Sequence, residues 1–412
     1  MTVDLFTHPA PFCGRGPTLD ILPALYDRTL IALRERMVDG AVHTWTCGHL
    51  GDPHHDISRP AKDALDVAAQ YNTSTEHPGV VRDIELKLVN AVCGEIFGYD
   101  HVKCWGYACT DRSVGNLVGL WIARDRARAT GRPSARVVFA SADACRSVAR
   151  ACRILDLELR AVPADGPMRT PTADDLRGAD ALAVVATIGT SYTGSVDDVV
   201  GIRRVVAESG LPVWVHADAA YGGYFAYVAG CIPSLRDCDS AVVDVGQCGY
   251  GPRGVAVVGV RNGVDTWHAC GTDADPWMPV IEDDRAGASI IAAWHSHEQI
   301  RGMYPTLMAN LLRGADALTR AIVAKGHVIV GPCGLSVVRF AFRPEERMPY
   351  YATRFCDSAN TRHGGIALTT TTVAGRVLFR IVVMDPSFPS YAQNVADWLE
   401  TTRVHYDRSM KV

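Results

Sequence analysis

Lysine is scarce in this chain of 412 residues, and arginine supplies most of its positive charge. The lysines are Lys62, Lys87, Lys103, Lys325 and Lys411. A lysine amine forms Schiff bases with carbonyl substrates and cofactors, and it must lie inside the active site to do so. This scarcity therefore limits where in the chain such chemistry can take place.

Other features are absent as well, and each absence excludes a class of protein. No apolar run is long enough to cross a bilayer, so a membrane-spanning protein is not predicted. The 41 basic and 45 acidic residues give a net charge of −4, which gives no reason to expect a nucleic-acid partner. The 13 cysteines show no CxxC pair or other metal spacing, so neither a disulfide framework nor a metal site is predicted. The first residues have no basic segment and no apolar core, and we expect a cytoplasmic protein.

The chain divides into three predicted parts. Residues 1–75 are predicted to be an N-terminal helical segment, residues 76–285 a large α/β domain, and residues 286–412 a small α+β domain. Apolar residues at helical spacing predict helices over 18–39 and 79–97. These amphipathic helices need a partner surface for their apolar faces.

The large domain alternates short apolar runs with helical segments. The runs predicted as strands are 136–140, 158–162, 181–188, 212–216, 240–245 and 254–260. Strands that are apolar on both faces, with helices between them, predict a mainly parallel sheet covered on both sides. Ligands bind such sheets beyond the carboxyl ends of the strands. Asp218 and Gln247 both follow such ends, so we predict that they lie in one pocket.

The small domain begins with a helical stretch that runs to about Ala324. The segments 327–330, 336–343, 365–373 and 375–384 then alternate like an antiparallel sheet. A terminal helix over 391–402 completes this α+β unit.

Several segments of the large domain carry a resemblance to a known family. They are WGYACTDRSVGN (105–116), SADACRSVARA (141–151), ATIGTSYTGSVDD (186–198), HADAAYGG (216–223), DSAVVDVGQCGYGPRG (239–254) and IEDDRAGAS (281–289). In this order and spacing they resemble the group II pyridoxal-phosphate (PLP) decarboxylases, which include the histidine, serine and aromatic-amino-acid enzymes. The resemblance implies the α/β fold of the fold type I PLP-dependent transferases. It also implies an amine or amino-acid substrate and a homodimer with its sites at the subunit interface.

Part of the family's cofactor site is kept in this sequence. The resemblance implies that Asp218 pairs with the pyridinium nitrogen and that Ala220 lies beneath the ring. Ser113 and Thr190 match hydroxyl positions near the cofactor, and Asn116 also matches the family. The resemblance therefore implies that these five residues contact PLP.

The departures from the family fall in the same predicted pocket. Gln247 stands where the family has its Schiff-base lysine, and Gly246 replaces the histidine before it. Cys145 stands where a histidine stacks on the ring. Further departures lie in the phosphate turn and in a segment that normally has small or hydroxyl residues: Asp111, Arg112, Val114, Glu282, Asp283 and Asp284.

These departures change the chemistry that the pocket can perform. The amide nitrogen of Gln247 has no usable lone pair, so a covalent link to PLP through this residue is excluded. Lys103 is the lysine nearest to the pocket in sequence, but it precedes the strand that enters the site. Asp111 adds a carboxylate to the phosphate turn, where two charges about 4 Å apart repel by roughly 1–4 kcal/mol, although Arg112 offsets this. PLP binding is therefore disfavoured and, if it occurs, is non-covalent.

Three functions remain open from the sequence. The first is a biosynthetic enzyme that acts without PLP on a small amine- or amino-acid-derived molecule. The second is an enzyme that binds PLP or a PLP–amine adduct non-covalently, which explains why Asp218 is kept. The third is a catalytically inert subunit that pairs with an active relative or regulates it.

The first function assigns roles to particular side chains. Cys145 is the predicted nucleophile, and His216 or Asp218 is the predicted base. Gln247 is predicted to donate a hydrogen bond to an oxyanion. The predicted substrate contacts are Asp111, Arg112, Glu282, Asp283, Asp284 and Arg285.

Overall fold

The computed structural model describes most of the chain after residue 78. It covers residues 79–409 apart from 165, 270–279, 283, 332, 343–350, 363–367 and 374–375, together with residues 60, 64–65 and 73–74. The predicted helix at 18–39 and nearly all of the predicted N-terminal segment therefore lie outside the described residues, as does Asp283.

The described strands form one large sheet, one small sheet and a short pair. They are β1 (Thr73–Ser74), β2 (Trp105–Cys109), β3 (Val137–Ser141), β4 (Glu158–Val162), β5 (Ala181–Thr187), β6 (Trp214–Asp218), β7 (Ser240–Asp244), β8 (Ala256–Val260), β9 (Asp284–Arg285), β10 (Val328–Ile329), β11 (Val337–Ala341), β12 (Thr369–Val373) and β13 (Arg376–Val382). The large sheet has the order β2-β8-β7-β6-β5-β3-β4. Its strands are parallel except β8, which is antiparallel to both of its neighbours. The predicted mainly parallel sheet is thus confirmed.

Burial explains why these segments form strands of this sheet. Every residue of β3, β5, β6 and β8 is buried, as expected of strands covered by helices on both faces. The edge strand β4 is the exception, since its charged residues Glu158 and Arg160 are exposed. Charged side chains on an edge strand discourage pairing with another chain.

Helices connect and cover the strands. They are α1 (Val80–Val92), α2 (Arg112–Ala129), α3 (Arg146–Ile154), α4 (Ala173–Gly178), α5 (Val199–Ser209), α6 (Gly287–Ile300), α7 (Tyr304–Ala324), α8 (Tyr351–Arg362) and α9 (Ala392–Ser409). The predicted helix at 79–97 is α1 continued by a π-helical turn over Cys93–Phe97. Gly98 ends it in the left-handed conformation, with φ of 72°.

The C-terminal part contains the predicted antiparallel sheet, with the order β10-β11-β13-β12. The single long helix predicted before it is two helices, because a 3₁₀ turn over Arg301–Met303 separates α6 from α7. Pro305 stands in the first turn of α7, where a missing N–H costs no helical hydrogen bond. Helix α8 was not predicted from the sequence.

Arg285, which lies just before α6, forms buried contacts with helix α1 and with strand β2 of the large sheet. Its Nη2 lies 3.0 Å from Glu85 Oε2, and its Nη1 donates to the carbonyl of Ala108 over 3.3 Å. The guanidinium also lies 5.0 Å from the centre of the Tyr107 ring. Arg285 is only 4% exposed and is bound within the protein, and its predicted substrate contact remains a prediction. The fully buried carboxylate of Glu85 is paired with two cations, Arg285 and also Arg82, whose Nη1 lies 2.7 Å from Oε2.

Replacing Glu85 with glutamine should destabilise the fold strongly. The change leaves the buried Arg285 guanidinium without its counter-charge, and breaking a buried pair in this way costs about 3–5 kcal/mol. Urea unfolding measures the free energy directly. The matched control is Glu158→Gln, which breaks an exposed pair with Arg160 and should cost at most about 1 kcal/mol. Equal losses in the two proteins would show that the Glu85–Arg285 pair does not stabilise the fold.

Candidate functional site

The candidate site lies where three parallel strands of the large sheet end side by side. Asp218 is the last residue of β6, and the sheet register places it between Thr187 of β5 and Val242 of β7. The N-terminal turn of α2 packs against this group of strand ends, as contacts from Asn116 to β6 show. This is the edge at which open α/β sheets bind ligands.

Asn116 joins the helix to the sheet through a continuous chain of hydrogen bonds. Its Nδ2 donates to Asp218 Oδ2 over 3.0 Å, and its Oδ1 lies 2.8 Å from Nε2 of His216. His216 Nδ1 lies 2.7 Å from Ser240 Oγ, which also accepts a 2.8 Å bond from Trp214 Nε1. A carboxylate accepts only, so the amide must donate to it, and the histidine must donate from Nε2 to the amide oxygen. The neutral Nδ1 then accepts from the serine hydroxyl.

His216 is thereby held in the interior. Both of its ring nitrogens are engaged by other side chains, and the ring is fully buried. A Cβ at Gly119 of α2 would come within 2.5 Å of Nδ1, so this glycine lets the helix approach the ring. Burial lowers the pKa of His216 to about 4, which keeps the ring neutral. Both ring nitrogens are thus occupied by protein partners, and the predicted role of His216 as a base remains a prediction.

Gln247 lies in the turn that follows β7, beside a second acid. Its Nε2 donates to Asp244 Oδ2 over 2.9 Å, and the backbone N–H of Gly246 donates to Asp244 Oδ1 over 3.0 Å. Gln247 is 7% exposed, and its Oε1 accepts no hydrogen bond from the part of the chain that the structure describes. A buried acceptor without a donor is costly, so this oxygen marks a place for a donor group.

Asp244 is a site residue that the sequence reasoning missed. Burial raises the pKa of its carboxyl, although the hydrogen bonds from Gln247 and Gly246 and the charge of Arg112 oppose this. The signal that identified Asp218, an acid at the end of a buried strand, was also present here. Asp244 is the last residue of β7 and lies one strand away from Asp218.

Arg112 brings a positive charge to these two acids. It stands four residues before Asn116 in α2, so both side chains lie on the helix face that meets β6. Burial lowers the pKa of Arg112, but the charges of Asp218, Cys145 and Asp244 outweigh this effect, and the pKa is raised overall. Cys145 precedes the first residue of α3 and is half-buried. The structure therefore brings together the predicted Cys145, Asp218, Gln247 and Arg112.

Asp111 caps helix α2. Its Oδ1 accepts hydrogen bonds from the backbone N–H groups of Ser113 over 2.6 Å and Val114 over 3.2 Å. Its backbone is extended, with φ of −158°, as is usual at this position. The carboxylate therefore faces the helix that follows it, and the predicted substrate contact remains a prediction.

The other predicted contacts have partners within the protein. Thr190 Oγ1 lies 2.6 Å from Thr193 Oγ1 and also accepts from the N–H of Thr193, so this buried hydroxyl holds its own loop together. Glu282 accepts two hydrogen bonds from Thr110, one from the backbone N–H at 3.1 Å and one from Oγ1 at 2.6 Å. Asp284 is exposed in β9, and Ala220 is buried behind Asp218, its N–H 3.3 Å from Oδ1.

Comparison with known proteins supports one family. A family model described as the pyridoxal-dependent decarboxylase conserved domain matches residues 68–240. L-2,4-diaminobutyrate decarboxylase of Rhizobium meliloti is 28% identical over 321 residues, which are 70% of this chain and 64% of that protein. A probable L-aspartate decarboxylase of Halobacterium salinarum is 28% identical over 59% of this chain and 68% of its own length. The chain thus spans slightly less than two thirds of the first relative.

Solved structures agree on the fold. The structure of Oryza sativa TDC with PLP and tryptamine superposes with a TM-score of 0.77 at 16% identity, covering 98% of this chain and 91% of the other. At that identity the likeness concerns the fold alone. Among the described residues, no group of three or more His, Cys, Asp or Glu is placed to share a metal ion, and no helix has the length and apolar character needed to cross a membrane.

Acid should destabilise the protein through His216. The unfolded chain takes up a proton on this ring near pH 6.5, whereas the folded protein resists protonation down to about pH 4. The unfolded state therefore binds more protons between these values, and the free energy of unfolding falls as the pH decreases through this window, by roughly 3 kcal/mol in total. Urea unfolding between pH 4 and 7 measures this slope.

The slope should be smaller in His216→Gln, whatever the absolute stability of that variant. The exposed His101 provides the control, since His101→Gln should keep the wild-type slope. A wild-type slope in His216→Gln would contradict the assignment of the buried neutral ring.

Proposed function

Since the chain belongs to the group II PLP-dependent decarboxylase family, we propose that it is a lysine-less member acting without a lysine-bound cofactor. Its ligand is a small amine- or amino-acid-derived molecule, and its task is a biosynthetic reaction on that molecule. Supporting this, Gln247 stands at the position assigned to the lysine and lies beside Asp244 at the strand ends. The described lysines Lys87 and Lys103 are exposed, and Lys325 pairs with Asp397 in the C-terminal part.

The residues of the pocket do not fit a tightly held PLP. Asp218 and Ala220 suit the ring of the cofactor, because they offer an acid and a small buried surface. The phosphate is poorly provided for, since Asp111 already accepts from the amides at the start of α2. The hydroxyl of Thr190 is engaged by Thr193. We therefore propose no reaction step through PLP.

The unpaired Gln247 oxygen is the observation that carries the proposal. It is a buried acceptor beside the carboxylate of Asp244, and an ammonium or amine N–H is the donor that satisfies both. Arg112 and Arg253 both act on the Asp244 carboxyl, so the two acids are balanced in charge, and the preference for an amine rests on the Gln247 oxygen beside Asp244. An amino acid also carries a carboxylate, and Arg112 suits this because its guanidinium binds carboxylates in a fork geometry.

The same residues suggest how the site acts. Burial raises the pKa of Asp244, and a carboxyl held closer to neutrality exchanges protons with a bound amine more readily. Asp244 therefore replaces His216 as our proposed base. Cys145 remains the proposed nucleophile, since it is partly accessible and lies near the Arg112 charge.

Non-covalent binding of PLP is the alternative that a specific observation favours. Asp218 is a buried acid at a strand end whose Oδ2 accepts from Asn116, and a protonated ring nitrogen is the kind of partner that such an acid stabilises. A titration with PLP followed by absorbance separates the two functions, because our proposal expects no saturable binding. A saturating spectral change in the wild-type protein would favour the alternative.

The proposed amine site is tested by ligand binding. Cofactor-free protein is titrated by calorimetry with a panel of amino acids and their decarboxylated amines. In Gln247→Met, which has nearly the same shape but lacks the amide oxygen, the affinity for the bound ligand should fall about tenfold, the equivalent of ~1.4 kcal/mol. Gln393→Met, an exposed position on α9, provides the matched control.

Each outcome of this experiment decides something. Binding that Gln247→Met weakens and Gln393→Met preserves supports the amine site. Binding that Gln247→Met leaves unchanged shows that the ligand does not use this oxygen. No binding by any amine or amino acid in the panel contradicts the proposal and leaves the inert subunit as the better description.

We also propose a homodimer, as the family resemblance implies. The surface turn at 263–269 exposes Val264 and Trp267, an apolar pair of the kind that subunit contacts cover. Light scattering should give twice the mass of one chain, and a monomer across the accessible concentration range would contradict this proposal.

A further inference from the structure

The first turn of α2 presents two charged residues in succession, Asp111 and Arg112, to two different parts of the site. The carboxylate lies on the backbone N–H groups of Ser113 and Val114. Arg112 stands one helical turn before Asn116, which donates to Asp218, and the charges of Asp218 and Asp244 act on its guanidinium. The two side chains therefore place a negative and a positive charge at separate positions of one pocket.

The amides that Asp111 uses are those that bind anions in other proteins. The first N–H groups of a helix have no partner inside the helix, and the helix dipole adds a partial positive charge. Phosphate groups bind at such helix ends for this reason. Here the distances from Asp111 Oδ1 are 2.6 Å and 3.2 Å, so both amides are already satisfied by the protein.

A second carboxylate strengthens this arrangement. Glu282 accepts from both the N–H and the hydroxyl of Thr110, the residue directly before Asp111. An incoming phosphate would have to displace Asp111 and would also meet the negative charge of Glu282. Two like charges about 4 Å apart repel by roughly 1–4 kcal/mol near a protein surface, so the barrier is electrostatic as well as steric.

Arg112 is placed for the opposite charge. The acid of a PLP site stabilises the protonated ring nitrogen, a cation. Asp218 is that acid here by resemblance, and it is buried at 3% exposure, so it needs a positive partner. Arg112 lies one helical turn before Asn116, which holds Asp218 by hydrogen bond, and no cofactor is required to supply the charge.

We propose that Asp111 and Arg112 fill the chain's own cofactor site, with the carboxylate in place of the phosphate and the guanidinium in place of the ring cation. The exclusion of PLP is then built into two adjacent residues and does not follow from the absence of a lysine alone. Restoring a lysine at position 247 would therefore not restore cofactor binding.

The inference also narrows the ligand, and in this respect it rests on the proposed function. A phosphorylated ligand competes with Asp111 for its amides and is disfavoured. The Asp244 carboxylate and the Gln247 oxygen suit an amine without a phosphate group. The ligand class is thus a small unphosphorylated amine or amino acid.

The test removes the side chains of Asp111 and Arg112 in a protein that carries a lysine at position 247. Three variants are compared: Gln247→Lys, the triple variant Asp111→Gly/Arg112→Gly/Gln247→Lys, and the control Asp198→Gly/Gln247→Lys. Asp198 is the matched control because it caps another helix, α5, by accepting a hydrogen bond from the N–H of Gly201. Each protein is titrated with PLP, and binding is followed by visible absorbance.

Covalent attachment gives a second readout. The amine of a lysine at position 247 condenses with the cofactor aldehyde and releases water. Borohydride then reduces the resulting C=N bond, and peptide mass spectrometry locates the adduct. Thermal melting confirms that each variant is folded, and Asp111→Ala/Arg112→Ala/Gln247→Lys serves if the glycine variant is not, because alanine also frees the two amides and favours the helix more than glycine does.

The expected result is that the triple variant binds PLP at least about tenfold more tightly than Gln247→Lys and is labelled at position 247. The Asp198 control should behave like Gln247→Lys. Equal affinities in Gln247→Lys and the folded triple variant would overturn the inference. Because the amine titration uses the wild-type protein without PLP, its failure would contradict the proposed function and leave this result to stand.

Discussion

The position of helix α2 depends on one buried amide, that of Asn116. Its two ends meet Asp218 and His216, and the chain of hydrogen bonds continues into β7 through Ser240. Every member is buried, so a break would leave at least one polar group unsatisfied. The alternation of donors and acceptors also fixes the neutral form of the histidine. These hydrogen bonds also set the geometry of the site, because they position helix α2, whose first turn carries Arg112.

The site combines a fold shared with the decarboxylases and charged and polar residues that differ from the family pattern. The fold that the chain shares with its decarboxylase relatives accounts for the sheet and for the helix that meets Asp218. Around them, Asp111 occupies helix amides and Gln247 binds a neighbouring acid through its nitrogen. The amide oxygen that remains is a fixed acceptor. The amine recognition that we propose uses this oxygen together with the Asp244 carboxylate.

Much of the fold could be predicted from the sequence, because a buried strand appears as a short run of apolar residues. Apolar runs gave the parallel strands to within a few residues, and the strand-end rule identified Asp218. The features that the sequence did not indicate share a cause, because they depend on contacts that only the folded structure shows. Arg285 is drawn inward by Glu85, 200 residues away. His216 ends a predicted strand, and its partner Asn116 lies 100 residues earlier. Asp111 was expected to repel a phosphate, and only the structure shows it capping its own helix.

The cap formed by Asp111 has a consequence for how the protein is maintained in a cell. A fold completed by a ligand gains stability in proportion to the logarithm of ligand concentration, and it loses that stability when the supply falls. Here the helix end is satisfied by a residue of the same chain, whose effective concentration is constant. Under the proposed function, folding of this region is therefore uncoupled from the supply of any phosphorylated cofactor, and the native protein accumulates whether that supply is high or low.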